Sequence, residues 1–345
     1  MQAYERSKVA IPLSTEQLPH VALVTLGGTI AATPTGDGRV SPGIDGTALI
    51  AAVPQLGAVA RIEITEFRRI PSGDLTLVDV LELARDITGR EGDSCDGVVV
   101  TQGTDTLEET AFALDLVLAA TGRPVVVTGA MRNPTMAGAD GPANLLAAVQ
   151  VAASSDAAGR GVLVVMNDEI HAARWVRKMH SFSTAAFTSP NAGPVGVVLE
   201  GRARFFAPAY RKPSVLTRPV PAVPPVALVR MVLGDDDRVL NEVEALGYEG
   251  LVVEGFGAGH VPSRTIDALT RLALTMPVVL ASRTGEGLVS TSTYGFAGSE
   301  SDLLARGLIS AGELDGLKSR ILLSLLLGAR YGLDEVRESF HSFNE

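Results

Sequence analysis

The stretch DGVVVTQGTDTLEETAFALDLVLAATG, residues 96–122, sets an unbroken apolar run, Val98 to Val100, directly before a helical pattern. Consecutive apolar residues mean that both faces of the strand are covered, as in a buried parallel strand, whereas a half-exposed antiparallel strand alternates. The helix that follows has capping-box spacing at its start, Thr106-x-x-Glu109, and Gly122 as its stop. Strand, short polar loop and helix in that order make one unit of a parallel α/β fold. Working outward, VALVTL (21–26), PVVVTGA (124–130) and GVLVVMND (161–168) repeat the apolar run. The intervening segments are long enough for helices. The N-terminal part is therefore expected to be a doubly wound, mainly parallel sheet.

The pattern breaks at APAYRKPSVLTRPVPAVPPV, residues 207–226, where Pro208, Pro213, Pro219, Pro221, Pro224 and Pro225 preclude a regular element. Beyond it VALVRM (226–231), EGLVVEGFGAG (249–259) and MPVVLAS (276–282) resume the strand pattern, with SRTIDALTRLAL (263–274) as a helix. The expected organisation is a larger N-terminal α/β domain over 1–207, a proline-rich linker over 208–225, and a smaller C-terminal parallel α/β domain over 226–345. A chain of 345 residues can hold two such cores.

Composition narrows the function. With 29 basic and 39 acidic residues the formal net charge is -10, which offers no electrostatic footprint for nucleic acid or an anionic membrane. The single cysteine, Cys95, excludes an intrachain disulfide and a cysteine-rich zinc site. The histidines, His20, His171, His180, His260 and His341, lack metal-ligand spacing, so no metal or cofactor is expected. The first twenty residues show no leader pattern and no apolar run reaches spanning length, which reads as cytoplasmic, although a trimmed leader would leave the same picture.

In open α/β sheets ligands sit at the carboxyl ends of strands. Four such exits carry hydroxyl or charged groups: Thr25-Leu-Gly-Gly-Thr29, Pro71-Ser-Gly-Asp74, Gln102-Gly-Thr-Asp105 and Asn167-Asp168. The first is neither a GxGxxG turn nor a Walker loop, which weighs against a nucleotide. Taken singly, each has a plain alternative. Thr29 can cap the next segment, Asp105 can favour a helix N-terminus, and Ser72 and Asp74 can form a turn. Lys178 in ARWVRKMHSF can be a solvated surface lysine, and Cys95 a small packing residue.

In order along the chain, however, TLGGTIA (25–31), AVPQL (52–56), GVVVTQGTDTLEETAFALDL (97–116), GAMR (129–132), AGADGPANL (137–145), GVLVVMND (161–168) and SRTGEG (282–287) resemble the bacterial L-asparaginase family of asparaginase/glutaminase amidohydrolases. The resemblance runs from about Val21 to the last helix. It implies a two-domain α/β fold, hydrolysis of L-asparagine without a cofactor, and assembly as a homo-oligomer, mostly a tetramer with sites at subunit pairs. By residue, it implies that Thr29 is the nucleophile and that Thr104, Asp105 and Lys178 form a second catalytic group. Ser72 and Asp105 would hold the α-carboxylate and α-amino groups of the substrate.

The residue types suit that chemistry. A threonine hydroxyl attacks an amide carbonyl only when a neighbour takes its proton, a role open to a Thr104–Lys178 relay, to a water or to an acidic residue of a neighbouring subunit. Gly27 and Gly28 let backbone approach the substrate, where N–H groups can stabilise an oxyanion. Departures from the family pattern bear on specificity and on the base. The loop ATPTGDGRVSPGIDG (32–46), expected to act as a lid, has no tyrosine, and the next one is Tyr210. Gln102 stands where histidine is common, and Gly73 where many members carry glutamine. An acidic residue reaching across a subunit interface has only Glu286 and Glu254 as candidates. Glutamine or a transfer-RNA-linked amide as substrate, and a non-catalytic amino-acid sensor on the same fold, stay open at this point. The acidic chain lacks the basic surface a tRNA substrate would need.

Overall fold

The computed structural model describes residues 18–34, 40–42, 46–90, 95–118, 121–209 and 214–344. Its N-terminal strands are β1 (His20–Thr25), β2 (Ala32–Pro34), β3 (Val40–Pro42), β4 (Arg61–Glu66), β5 (Gly97–Thr101), β6 (Val125–Thr128), β7 (Val162–Met166), β8 (Glu169–Ala172), β9 (Arg177–Lys178), β10 (Phe187–Thr188), β11 (Gly196–Leu199) and β12 (Arg202–Phe205). The C-terminal strands are β13 (Val226–Arg230), β14 (Gly250–Gly255), β15 (Val278–Ser282) and β16 (Ile309–Ser310). The longer helices are α1 (Gly46–Ala51), α2 (Leu77–Gly89), α3 (Leu107–Val117), α4 (Gly141–Ala152), α5 (Arg238–Glu242), α6 (Ile266–Thr275), α7 (Glu300–Ala305), α8 (Gly316–Gly328) and α9 (Leu333–Asn344).

The larger sheet has the order β12-β11-β8-β7-β6-β5-β1-β4. Pairings from β4 through β1, β5 and β6 to β7 are parallel, and β8, β11 and β12 extend it antiparallel. The second sheet, β13-β14-β15-β16, is parallel throughout. Two α/β domains, the larger one N-terminal, are thus present as expected.

The alternation of strand side chains sorts the core into layers. Val21, Leu23, Val99, Val126, Leu163 and Val165 turn one way, onto α4 and Leu56. Ala22, Val24, Val98, Val100, Val125 and Val127 turn the other way, onto α2 and α3. That second layer continues into Leu322, Leu325 and Leu326 of α8 and then Val252 and Val279 of the C-terminal sheet, so one apolar core joins the two domains. The outer face of the second sheet buries Leu251, Val253 and Leu280 against Leu269 and Leu272 of α6.

One local expectation is corrected. No capping box forms at Thr106, because a single 3-10 turn, Thr104–Thr106, runs straight into α3 and leaves Thr106 at φ -116° and ψ 16°, outside the extended conformation of a cap. Its hydroxyl instead donates to the Ser72 carbonyl at 2.9 Å. α3 also ends at Val117, well short of Gly122. A capping box is present one helix earlier, between Thr76 and Asp79 at the start of α2.

Within the parallel part of the larger sheet, the strands lie in the order second, first, third, fourth, fifth along the chain. Connections leave β1 and β5 in opposite directions, which opens a crevice at the carboxyl ends of these two neighbours.

Candidate active site

Three loops meet at that crevice with no room for side chains between them. After β1 the Leu26 N–H donates to the Thr101 carbonyl at 2.8 Å, holding the loop against β5. Gly27 and Gly28 follow at φ +97° and +91°, conformations that L side chains rarely adopt. A Cβ at Gly27 would lie 2.9 Å from the Ile70 carbonyl oxygen, and one at Gly28 only 2.1 Å from the Gly103 nitrogen. Gly103 in turn packs on Ser72, whose Oγ would stand 2.7 Å from a Cβ there. Thus the two glycines thread the chain between the 70–72 and 102–103 loops and deliver Thr29, half-buried, at the start of a short 3-10 turn, Thr29–Ala31.

Lys178 reaches the same place from a distant part of the chain. It sits on β9, a two-residue strand paired with β10, and its side chain is 14% exposed. Its Nζ donates to Thr104 Oγ1 at 2.8 Å and to Asp105 Oδ1 at 2.6 Å. The alternative of a solvated surface lysine is therefore wrong. Thr104 is buried, whereas the Asp105 side chain is 81% exposed and presents its carboxylate to solvent. The structure thus gathers Gly28, Ser72, Thr104, Asp105 and Lys178 around one crevice, with Thr29 next to Gly28 in the chain.

A second charged layer lies beneath, and sequence reasoning missed it. Glu108, in the first turn of α3 and buried, accepts the Lys178 backbone N–H at 3.1 Å. Burial pushes its carboxyl from the ordinary 4.5 up to about 6, against the pull of the Lys318 and Arg177 charges. Lys318 of α8 is also buried, and its Nζ donates to the Val176 carbonyl at 2.7 Å and to Asp315 Oδ2 at 3.3 Å. Asp315 also caps α8 by accepting the Lys318 N–H at 2.9 Å. Lys318 and Arg177 hold its carboxyl below the ordinary range despite burial. Nothing local in the sequence ties residue 318 to residue 176, and Glu108 beside Glu109 reads as an ordinary first-turn carboxylate.

Other quoted motifs have structural roles. Asn167 and Asp168, at φ 53° and 61°, form the two-residue turn of the β7–β8 hairpin. In GAMR and AGADGPANL, Asp140 accepts the N–H groups of Met131 and Arg132 at 3.0 and 2.8 Å, and Asn144 Nδ2 donates to the Gly129 carbonyl at 3.0 Å. Gln102 is turned inward, donating to the Gly103 carbonyl at 3.3 Å. Cys95 packs half-buried before β5.

Glu254 is buried and paired with Arg230 at 2.6 Å, so it is committed within its own chain. Glu286 is exposed on the loop beside Arg177 and Asp315. Of the lid expected over 32–46, Pro34 and Pro42 end the paired β2 and β3, whereas Gly36, Gly38 and Gly43 lie outside the described residues, as does Tyr210. Among the described residues no helix is long and apolar enough to cross a membrane, and no cluster of three or more His, Cys, Asp or Glu could hold a metal ion.

The chain matches the family described as "Asparaginase, N-terminal" over residues 20–211 and "Glutaminase/Asparaginase C-terminal domain" over residues 225–340. It is 36% identical over 312 residues to an L-asparaginase of Bacillus licheniformis, covering 90% of this chain and 95% of that one. To L-asparaginase 2 of Escherichia coli K12 it is 34% identical over 336 residues, covering 94% of each. The crystal structure of a probable cytoplasmic L-asparaginase from Campylobacter jejuni superposes with a TM-score of 0.82 at 34% identity, covering 94% of this chain and 99% of that one.

Proposed function

This chain belongs to the bacterial-type asparaginase/glutaminase amidohydrolase family, and from that premise we propose that it hydrolyses L-asparagine to L-aspartate and ammonia through an acyl-enzyme on Thr29. The observation that carries the reading is the contact of Lys178 Nζ with both Thr104 Oγ1 and Asp105 Oδ1 at the crevice into which Gly28 delivers the next residue, Thr29.

In this reading Asp105 pairs with the substrate's α-ammonium group and Ser72 hydrogen-bonds its α-carboxylate, which fixes the distance from those groups to the side-chain amide. Lys178 enters this step as the neutral amine: Thr29 Oγ attacks the amide carbonyl carbon as its proton passes to Thr104 Oγ1, and Thr104 passes its own to the free electron pair of Lys178 Nζ. The C–N bond then breaks, and the leaving nitrogen takes that proton and departs as ammonia. Backbone N–H groups of the Gly27–Gly28 turn would stabilise the oxyanion. Water next attacks the ester, C–O cleavage restores the Thr29 hydroxyl, and L-aspartate leaves. One extra methylene would displace the amide carbonyl from Thr29 by more than productive attack tolerates, so L-asparagine is the preferred substrate over L-glutamine. A cytoplasmic homotetramer belongs to the same reading.

Ammonia release from L-asparagine, L-glutamine and D-asparagine tests the substrate. Thr29→Val tests the nucleophile, since it removes the hydroxyl at almost constant shape. Turnover should vanish while circular dichroism and the melting temperature stay put. A variant that hydrolyses asparagine near the parent rate would remove Thr29 from the mechanism, and equal kcat/KM for the two amides would defeat the asparagine preference.

A further inference from the structure

The segment that brings Lys178 into the crevice is held at three consecutive residues by charged groups from below. Lys318 Nζ donates to the Val176 carbonyl at 2.7 Å, Asp315 Oδ2 lies 3.5 Å from Arg177 Nε, and Glu108 Oε2 accepts the Lys178 N–H at 3.1 Å. The strand itself is short: among the described residues β9 is two residues long and pairs only with β10. Glu108 stands one turn beyond Thr104 and Asp105 on the same continuous 3-10 and α-helical segment. Lys178 is therefore gripped twice by that segment, at its backbone by Glu108 and at its tip by Thr104 and Asp105.

Lys318 comes from the other domain, on the helix whose leucines complete the shared core, and it is 2% exposed. A buried ammonium group costs several kcal/mol unless it is paired and hydrogen-bonded, and an apolar residue of similar volume would pack α8 at least as well. Packing alone thus gives no reason for a lysine here, whereas a cation paired with Asp315 and aimed at the Val176 carbonyl does.

We propose that Glu108 and Lys318 are positioning residues for Lys178, fixing the backbone of residues 176–178 so that the lysine amine meets Thr104 and Asp105. The inference deepens the proposed function and rests on its assignment of Lys178 to the reaction. Through Lys318, the C-terminal domain of each chain sets the geometry of that chain's own crevice. The charged groups facing Glu108 are Lys318 and Asp315 from α8 and its cap and Arg177 from β9, so removing either of the positioning residues also unbalances the other.

Three variants test this in the full-length protein. Glu108→Leu removes the acceptor for the Lys178 N–H at similar volume, Glu108→Gln keeps an acceptor without the charge, and Lys318→Met removes the donor to Val176. For Glu108→Leu and Lys318→Met, kcat on L-asparagine should fall about 10-fold or more with KM changed less than about 3-fold, the pattern of misplaced reacting groups. Glu108→Gln should recover kcat to within about 3-fold of the parent. Amide hydrogen exchange in a peptide spanning residues 176–178 should speed up in the first two variants and stay near the parent rate in the third. A role in packing alone would lower stability without this split and without rescue by glutamine.

Unchanged exchange in Glu108→Leu, or glutamine no better than leucine, overturns the proposal. Should Lys318→Met not fold, the Glu108 pair decides alone. If the parent releases no ammonia from L-asparagine, the proposed function fails by itself. The exchange rates then still decide whether Glu108 and Lys318 hold the segment.

Discussion

Gly28→Ala should be among the most damaging methyl additions this chain can suffer, and its size can be worked from the crevice. The new Cβ would stand 2.1 Å from Gly103 N, 2.4 Å from Gly103 Cα and 2.6 Å from the Gln102 carbonyl carbon. Since ordinary contact begins at 3.4 Å, the β1 exit must retreat from the β5 exit by about an ångström. All three obstructing atoms are backbone, so no side-chain rotation relieves the clash. Holding alanine at φ +91° adds strain of about 1–2 kcal/mol, and overpacking a further 1–3 kcal/mol. Together these cost about 2–5 kcal/mol, against a usual domain stability of about 5–15 kcal/mol, so the variant should fold with a melting temperature about 4–20 °C lower.

Activity should suffer more than stability. The retreat moves Thr29, the next residue, relative to Thr104 and Asp105, and a displacement of an ångström costs about 10²-fold in rate. The assay is ammonia release by Gly28→Ala, with Gly89→Ala as control. Gly89 ends α2 with nothing within 4 Å of its Cβ position, so alanine there should be neutral or slightly stabilising. A Gly28→Ala enzyme within about threefold of the parent kcat would refute the idea that the two glycines set the position of Thr29.

Two further outcomes follow from the charged layers. Lys178→Met should lower the acylation rate by about 10²-fold or more with little change in substrate binding, and a stopped-flow rate within a few-fold of the parent would exclude the Thr104–Lys178 relay. Glu108→Gln should stabilise the fold in a pH-dependent way. With its carboxyl raised from 4.5 to about 6, Glu108 favours folding in its protonated form, so its contribution is full below pH 4.5 and is lost as the pH rises through 6. At 1.36 kcal/mol per pH unit that loss is about 2 kcal/mol, so the variant should gain on the parent between pH 4.5 and 6 and plateau above, as read by chemical denaturation. A gain independent of pH would contradict the buried, reluctant carboxylate.

What the sequence made legible was whatever is encoded by neighbours in the chain. The apolar run Val98 to Val100 identifies a central strand because burial on both faces is a local pattern. The Gly27-Gly28-Thr29 exit and the Thr104-Asp105 pair could be singled out because each follows such a strand directly. Thr106 misled for the same reason, since capping-box spacing cannot reveal that a 3-10 turn precedes the helix. Lys178 was legible only through family resemblance, because nothing in ARWVRKMHSF distinguishes an amine 74 positions from Thr104 from any solvated lysine. The layer of Glu108, Asp315 and Lys318 was not legible, because its members come from two domains and its bond to Val176 spans 142 positions. Buried charge leaves no periodic trace, and a lysine inside GLKSRILLSLLLG looks like the polar edge of an amphipathic helix when that helix is in fact covered almost all round.

The exposure of Asp105 leads to a last prediction. In the single chain its side chain is 81% exposed, and an ion pair formed in water is worth only about 0–1 kcal/mol. A charge clamp that selects a free amino acid by its ammonium group needs more than this, so something must cover Asp105 when substrate is bound. Within one chain, Glu254 is already tied to Arg230, and Glu286 lies on the loop beside Arg177 and Asp315. Covering by a neighbouring copy of the chain, as in the proposed oligomer, would account for the exposure, and it would make affinity depend on assembly. On dilution through the dissociation range of that proposed oligomer, KM for L-asparagine should therefore rise steeply, while a chemically cross-linked sample should keep its low KM at every concentration. Light scattering on the same samples should show the rise in KM coinciding with the loss of the assembled species. A monomer with an unchanged KM would mean that the chain covers Asp105 by itself, and would sink the argument from exposure.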